Sequence, residues 1–367
     1  MSQLTDGFGR SFPYLRLSLT EACNFRCSYC LPDGYHADGR PRFLAVEEIA
    51  RLVRAFATLG MHKIRLTGGE PSLRRDLTRI IATVARVPGI RKVAITTNGT
   101  RLPRYLPDWH RAGLTALNVS VDSLQRERFH AITGHDRLPE VLEGIAMAQA
   151  LGLQSVKLNA VLLRDRNDDE LPAWMEFLRE RALSVRFIEL MRTGDNGDYF
   201  QRHHLRADVL VEQLQAAGWS LRPRAADAGP AREYVHPAYR GSIGIIAPYS
   251  RDFCAGCNRL RVTAVRPLDG FTEHDVLAAA AATMVIGDGV RLEHATDQAV
   301  HDAADERGIP IDGFDVLLPF QSDRPFAAAL VGTRIVLKGA PDVLVRAFAV
   351  PDSSMETALD AMAADGL

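Results

Sequence analysis

The 367-residue chain is 47% hydrophobic and carries 44 Lys and Arg against 45 Asp and Glu, a formal net charge of −1. Near-neutrality argues against electrostatic capture of nucleic acid or an anionic membrane as its main task, and no apolar run approaches the roughly 20 residues of a membrane span. The length suits two domains, or one barrel with an appendage. The N-terminus shows no apolar targeting segment, so a cytoplasmic protein is expected. The five cysteines fall in two groups, Cys23, Cys27 and Cys30, then Cys254 and Cys257. An odd, clustered set without a signal peptide favours metal ligation over disulfides.

In chain order, the alternating run Tyr14-Leu15-Arg16-Leu17-Ser18-Leu19 reads as a strand. It leads into Cys23, Cys27 and Cys30, spaced C-x3-C-x2-C. Three thiolates can hold three irons of a cubane cluster and leave the fourth open, whereas the usual protein-only 4Fe–4S site takes four. The alternatives are a three-thiol zinc site, which needs a fourth ligand nearby, or a disulfide with one thiol left over. Residues 46–59 then read as an amphipathic helix ended by Gly60. Strand 63–67 runs into the turn Gly68-Gly69-Glu70-Pro71. The alternation continues: helix 75–86, strand 92–96 and the turn Asn98-Gly99; helix 106–112 and strand 116–121; helix 138–151 and strand 155–162; helix 169–181 and strand 185–190. Six β/α units predict a parallel sheet with right-handed crossovers. The expected fold is α/β, a partial (β/α)6 barrel with its site at the C-terminal ends of the strands.

The cysteine spacing, with aromatic Tyr29 just before the last thiol, resembles the radical S-adenosylmethionine (SAM) superfamily. That resemblance implies that the amino and carboxylate groups of SAM bind the open iron. An electron from the cluster then cleaves SAM, and a 5′-deoxyadenosyl radical takes a hydrogen from the substrate. Further phrases narrow it: Tyr14-Leu15-Arg16-Leu17-Ser18-Leu19-Thr20, Arg65-Leu66-Thr67-Gly68-Gly69-Glu70-Pro71, Thr96-Thr97-Asn98-Gly99, Asn118-Val119-Ser120-Val121-Asp122-Ser123, Val156-Lys157-Leu158-Asn159, Arg186-Phe187-Ile188-Glu189-Leu190-Met191 and Cys254-Ala255-Gly256-Cys257-Asn258-Arg259-Leu260-Arg261. In this order, over residues 10–264, they resemble the GTP 3′,8-cyclase family of molybdenum cofactor biosynthesis.

The family resemblance implies radical attack of the GTP ribose C3′ on guanine C8, and a second 4Fe–4S cluster whose open iron binds the guanine. It implies GTP contacts at Arg16, Arg65, Thr96, Lys157, Arg259, Leu260 and Arg261, and SAM contacts at Tyr29, Gly69, Ser120 and Met191. Arginine forks and a lysine point charge suit a triphosphate; the alternative is that each cation pairs with a neighbouring carboxylate. Gly68 and Gly69 lack Cβ atoms and would let backbone carbonyls approach the SAM amino group, or form a plain surface turn. Ser120 would donate to the SAM carboxylate or simply end a strand. Met191 would pack on adenine or fill the core. The implied partners are GTP, an electron donor and the next enzyme of the route, with a homodimer an open option and no nucleic acid or membrane.

The chain departs from the family after Cys257. The family's second cluster takes a third cysteine fourteen residues further on, where this sequence has Phe271, and no cysteine follows. Two thiolates hold a cubane poorly unless Glu273, His274 or Asp275 substitutes. The terminal Ala363-Ala364-Asp365-Gly366-Leu367 lacks the family's Gly-Gly tail. From 265 a small α+β domain is expected: helices 272–283 and 295–307, strand 314–320, a hairpin of 326–331 and 333–337 around Gly332, and a last helix opening near Pro341. Pro319-Phe320-Gln321-Ser322-Asp323-Arg324 and Val336-Leu337-Lys338-Gly339-Ala340-Pro341-Asp342-Val343-Leu344 resemble the nucleotide-binding domain of P-type cation ATPases, over residues 270–350. There the Lys-Gly-Ala turn lines an adenine pocket. The phosphorylation motif and membrane helices are missing, which excludes transport. The expected divisions are 1–225 (barrel), 226–264 (remnant of the second-cluster region) and 265–367. A gene fusion would account for the change of character near 265, as would an unrelated α+β segment over the barrel mouth.

Overall fold

The computed structural model describes residues 11–36, 43–193, 196–224, 229–250, 253, 258–262 and the strands 316–318, 326–331 and 334–339. Strands and helices alternate as β1 (Tyr14–Ser18), α1 (Val46–Thr58), β2 (Lys63–Thr67), α2 (Leu77–Ala85), β3 (Lys92–Thr97), α3 (Leu102–Arg111), β4 (Ala116–Ser120), α4 (Arg126–Thr133), α5 (Leu138–Ala150), β5 (Ser155–Leu162), α6 (Leu171–Leu178) and β6 (Ser184–Glu189). Then come α7 (Gly197–His203), α8 (Asp208–Ala216), β7 (Ser220–Leu221), β8 (Arg232–Val235), β9 (Ser242–Ile246) and β10 (Arg259–Val262). Among the described residues these strands form one sheet in the order β10-β1-β2-β3-β4-β5-β6-β9-β8-β7. All pairings from β10 to β9 are parallel; β8 and β7 add antiparallel at the far edge.

The six expected units form the partial barrel. Alternation along each strand explains it. Leu15, Leu17, Ile64, Leu66, Val93, Ile95, Leu117, Val119, Leu158, Val185 and Phe187 are all but inaccessible and form the layer under the helices. α1 brings Ile49, Val53 and Phe56 to that core, α2 brings Ile80, Ile81 and Val84, and α3 brings Leu102, Leu106 and Trp109. Trp174 of α6 stands edge-on to Phe187 of β6, with ring centroids 6.3 Å apart. Burying each such side chain contributes about 1.5–3 kcal/mol.

Several elements differ from expectation. α3 starts at Leu102 rather than 106, because Pro103 is tolerated in a first turn and Pro107 costs only one helical hydrogen bond. α4 was not expected. Neither were α7, α8 and β7 to β9. The 259–262 segment, expected only as a substrate contact, is a strand that extends the sheet beside β1.

The described residues fall into two compact units, one within 11–192 and 196–262 and the other including the strands between 316 and 339. The latter, β11 (Val316–Leu318), β12 (Phe326–Val331) and β13 (Arg334–Gly339), form an antiparallel sheet in that order. Val331 pairs with Arg334, so β12 and β13 pair antiparallel where a hairpin was expected. The helices expected at 272–283 and 295–307 and after Pro341 lie outside the described residues. No described helix is long and apolar enough to cross a membrane.

Candidate active site at the C-terminal ends of the strands

The three cysteines ride on an arch between β1 and α1 that is tied to four strand ends. Gly69 N donates to Thr20 O and Glu70 N to Ala22 O, both at 2.7 Å. The glycines make this approach possible: a Cβ on Gly69 would lie 2.3 Å from Glu21 O and 2.4 Å from Ala22 O, and one on Gly68 would lie 2.2 Å from Thr20 O. So the missing side chains seat the arch on the end of β2. Glu70 is buried and accepts from Thr97 Oγ1 and Asn98 N at 2.6 Å and from Ser72 N at 3.0 Å. Burial pushes this carboxyl up despite those bonds. Asn98 Nδ2 then donates to Asn24 Oδ1 at 2.9 Å.

The far side of the arch rests on α4. Arg26 N donates to Thr133 O and Ser28 N to Ile132 O, while buried Phe25 stacks on His135 with centroids 5.0 Å apart. Ser28 Oγ and Tyr199 Oη of α7 are 2.9 Å apart. Tyr29 Oη donates to Asp122 Oδ2 at 3.0 Å. Asn196 Nδ2 donates to Met191 O at 3.0 Å and Tyr29 O at 3.4 Å.

Cys23 and Cys27 are half-buried free thiols and Cys30 is exposed. Burial pushes all three up. At Cys27 the Asp122 carboxylate and the other two thiols push further; Cys30 and Glu70 do so at Cys23, and Asp122 at Cys30. Three crowded thiolates are costly without a cation between them and favourable around one. Among the described residues no three His, Cys, Asp or Glu converge as they would on a single metal ion, these thiols included. A cubane takes one thiolate per iron, so three thiols on one arch fit a cluster that keeps one iron open.

Below the arch the inner face of the sheet is cationic. Parallel register puts like faces side by side: Arg259 pairs with Tyr14, Tyr14 with Lys63 and Lys63 with Lys92. The next row has position 261 beside Arg16 and Arg16 beside Arg65. On the other strands Thr96, Asn118, Lys157 and Ser184 share a row, and Ser120, Asn159 and Arg186 share the next. Arg65 Nε, Thr96 Oγ1 and Asn118 Nδ2 are buried without a hydrogen-bond partner. Leaving such groups unmet costs about 1–3 kcal/mol each, which a polar ligand would recover. Burial lowers the Arg65 guanidinium, Tyr14 opposes this, and Arg186 and Arg259 add to it. Lys157 is lowered to about 7, by burial first and then by Arg186, with Glu233 opposing. A polyanion resolves this crowding.

The structure gathers Arg16, Arg65, Thr96, Lys157 and Arg259 on this face, and Arg261 occupies a register position beside Arg16. Leu260 pairs with Leu15 and so belongs to the opposite face. Ser120 ends β4 at the mouth. Met191 is 53% exposed beyond β6, so the core-methionine alternative does not hold. Tyr29 directs its ring away to Asp122. Cys254, Cys257, Phe271, Glu273, His274 and Asp275 lie outside the described residues. Sequence reasoning missed Arg186 as an inner cation, although it sits on β6 in register with Asn159, and missed Glu233, Glu70, Asn98 and Asp122.

The family model of the radical SAM superfamily matches residues 17–178, and that of the molybdenum cofactor synthesis C region matches 183–269. A GTP 3′,8-cyclase of Stenotrophomonas maltophilia (strain K279a) is 84% identical over 264 residues, 72% of this chain and 81% of its own. The chain belongs to the GTP 3′,8-cyclase family. A Yersinia pestis relative of the same name is 53% identical over 284 residues, covering 76% of this chain and 87% of its own. Among solved structures, Streptococcus suis SuiB bound to S-adenosylmethionine aligns over 56% of this chain and 47% of its own, with a TM-score of 0.44 at 16% identity, a likeness too slight to add to the argument.

Proposed function

We propose that this chain cyclises GTP to (8S)-3′,8-cyclo-7,8-dihydroguanosine 5′-triphosphate, the first step of molybdenum cofactor biosynthesis, as a radical SAM lyase. Cys23, Cys27 and Cys30 would hold a 4Fe–4S cluster. The end of β4 at Ser120, the backbone around Gly69 and Tyr29, and exposed Met191 would receive SAM. When bound, cluster and SAM together supply a one-electron cleavage that produces a hydrogen-abstracting radical. The remaining work falls to the barrel. Arg16, Arg65, Thr96, Lys157, Arg259 and Arg261 bind and orient the triphosphate on the inner face of the sheet.

The observation that carries this reading is the layering of the inner face. The Ser120 row lies one inward-facing step, about 7 Å along the strand, nearer the mouth than the row of Thr96, Asn118 and Lys157. A nucleotide anchored by its phosphates on the deeper rows points its ribose towards the arch. An external donor supplies the electron. Incubating the full chain anaerobically with GTP, SAM and a reductant tests the reading: SAM cleavage and cyclised product should both appear, and both should vanish in Cys27→Ser.

A second reading follows from Phe271. If the cysteines at 254 and 257 assemble no cluster, the barrel still cleaves SAM and binds nucleotide but makes no cyclised product. Iron analysis separates the two, with about eight irons per chain for the cyclase and about four for the second reading.

A further inference from the structure

We infer that Glu233 is a positioning residue for the triphosphate: from β8 it fixes the Arg186 guanidinium and serves as counter-charge to the Lys157 ammonium. This rests on the proposed placement of the nucleotide, but it concerns a residue outside every motif in the sequence.

The geometry is built for the contact. Glu233 pairs with Gly244 across the antiparallel β8–β9 ladder, and Gly244 pairs with Arg186 across the parallel β9–β6 ladder. The three therefore share one row, with a glycine in the middle. A Cβ on Gly244 would lie 3.0 Å from Arg186 Cγ and 3.4 Å from Glu233 Oε1. Its absence lets the two side chains meet across β9. Arg186 donates to Glu233 Oε1 from Nη2 at 2.6 Å and from Nε at 3.2 Å. Ser184 Oγ and Ser242 Oγ donate to Glu233 Oε2 at 2.9 and 3.1 Å. Both carboxylate oxygens are thus held, with Arg186 8% and Glu233 20% exposed. This grip uses Nε and Nη2 and fixes the plane of the Arg186 fork on the inner face.

The charge balance gives Glu233 its second part. Lys157 lies in register with Ser184, whose hydroxyl donates to Glu233 Oε2, so the carboxylate borders the row that carries the ammonium. The charged groups acting on Lys157 are the cations Arg186 of β6, Lys63 of β2 and Lys92 of β3, and the anion Glu233 of β8. Arg186 in turn holds Glu233 below the usual carboxylate range, against burial, which acts the other way. Without Glu233, Lys157 would face three cations in a buried setting and shed its proton at lower pH. A triphosphate needs that proton in place, so the counter-charge matters most when the solution is alkaline.

The experiment measures GTP affinity of the full chain at pH 6 and pH 8.5 for wild type and Glu233→Gln, which keeps the shape and removes the charge. The ratio of variant to wild-type dissociation constant should exceed one at pH 6, where the Arg186 guanidinium has lost its anchor, and rise severalfold further by pH 8.5, about tenfold being the ceiling for a one-unit fall in the Lys157 pKa. A ratio that stays level or falls as pH rises overturns the inference, whatever its size. If Glu233→Gln does not fold, Glu233→Asp serves: the shorter carboxylate keeps the charge but withdraws from Arg186, so its GTP affinity should fall at both pH values, and wild-type affinity at both overturns the inference. Wild type that binds no GTP at either pH sinks the placement of the nucleotide itself, whereas normal wild-type binding with a level ratio sinks only the role of Glu233.

Discussion

Tyr29 and Asp122 join the cysteine arch to the end of β4 through a 3.0 Å hydrogen bond inside the protein. The same carboxylate accepts from Val161 N at 2.9 Å, and the Asp122 carbonyl accepts from Asn167 Nδ2 at 2.6 Å. The arch is therefore braced by the strand that ends in Ser120, and its last turn cannot shift without disturbing β4 and β5.

Burial pushes the Asp122 carboxyl up to about 6, against the pull of the Val161 and Tyr29 bonds. The sign follows directly. A carboxyl whose folded pKa exceeds its unfolded one favours folding most below the unfolded value near 4, and that support is lost as pH rises through about 6. Asp122→Asn should remove this loss, so its stability relative to wild type should improve between pH 4 and 7 in urea titrations. Asp122→Ala leaves Tyr29 Oη and Val161 N unmet and should cost about 1–3 kcal/mol. Equal stability of the Ala variant and wild type would contradict the bracing role.

Gly69→Ala tests how the arch is seated. The new Cβ has no room beside Glu21 O and Ala22 O, both of which are backbone. Overpacking of this kind costs about 1–3 kcal/mol and should displace the thiols. Iron retention after gel filtration should fall together with the urea midpoint. Wild-type iron content and stability in this variant would show that the arch does not depend on the close approach.

Arg65 should behave in opposite ways in two assays. Its Nε is buried and unmet, so the empty protein bears a desolvation cost. Arg65→Met should leave stability unchanged or raise it, yet weaken GTP binding by about ten- to a hundredfold, the worth of a charge-assisted contact. Loss of stability with unchanged GTP affinity would mean that Arg65 serves the fold and not the ligand.

The fold was legible where pattern is local. Strands such as Lys63–Thr67 and Ser155–Leu162 alternate cleanly, and the first runs straight into the turn Gly68-Gly69-Glu70-Pro71. α4 was hidden because Arg-Glu-Arg-Phe-His-Ala-Ile-Thr carries little apolar periodicity, with Phe129 and Ile132 its inward anchors. β10 was hidden for a different reason: its place beside β1 is decided by pairing of Tyr14 with Arg259, almost the whole barrel apart in sequence. The site divides in the same way. The cysteines are marked by their spacing after the first strand, and Arg65 and Lys157 by being cations on predicted strands. Glu233 carries no local signal, since its meaning comes from the register across Gly244. The glycines of the Gly68-Gly69 turn were legible as special, but the structure gives them a task that spacing does not reveal, the seating of the cysteine arch.

Cys27→Ser should abolish the brown chromophore and reductive SAM cleavage together, because Cys27 is the central thiol of the arch and a hydroxyl is a poor iron ligand. SAM cleavage that persisted in this variant would move the cluster elsewhere in the chain.

The most direct measurement uses GTP deuterated at the ribose C3′, incubated anaerobically with the reduced full chain and SAM, with mass analysis of both products. Deuterium should appear in 5′-deoxyadenosine, and the nucleotide product should be the 3′,8-cyclised triphosphate lacking that label. Deoxyadenosine formed without deuterium, or GTP recovered intact beside it, would contradict the account.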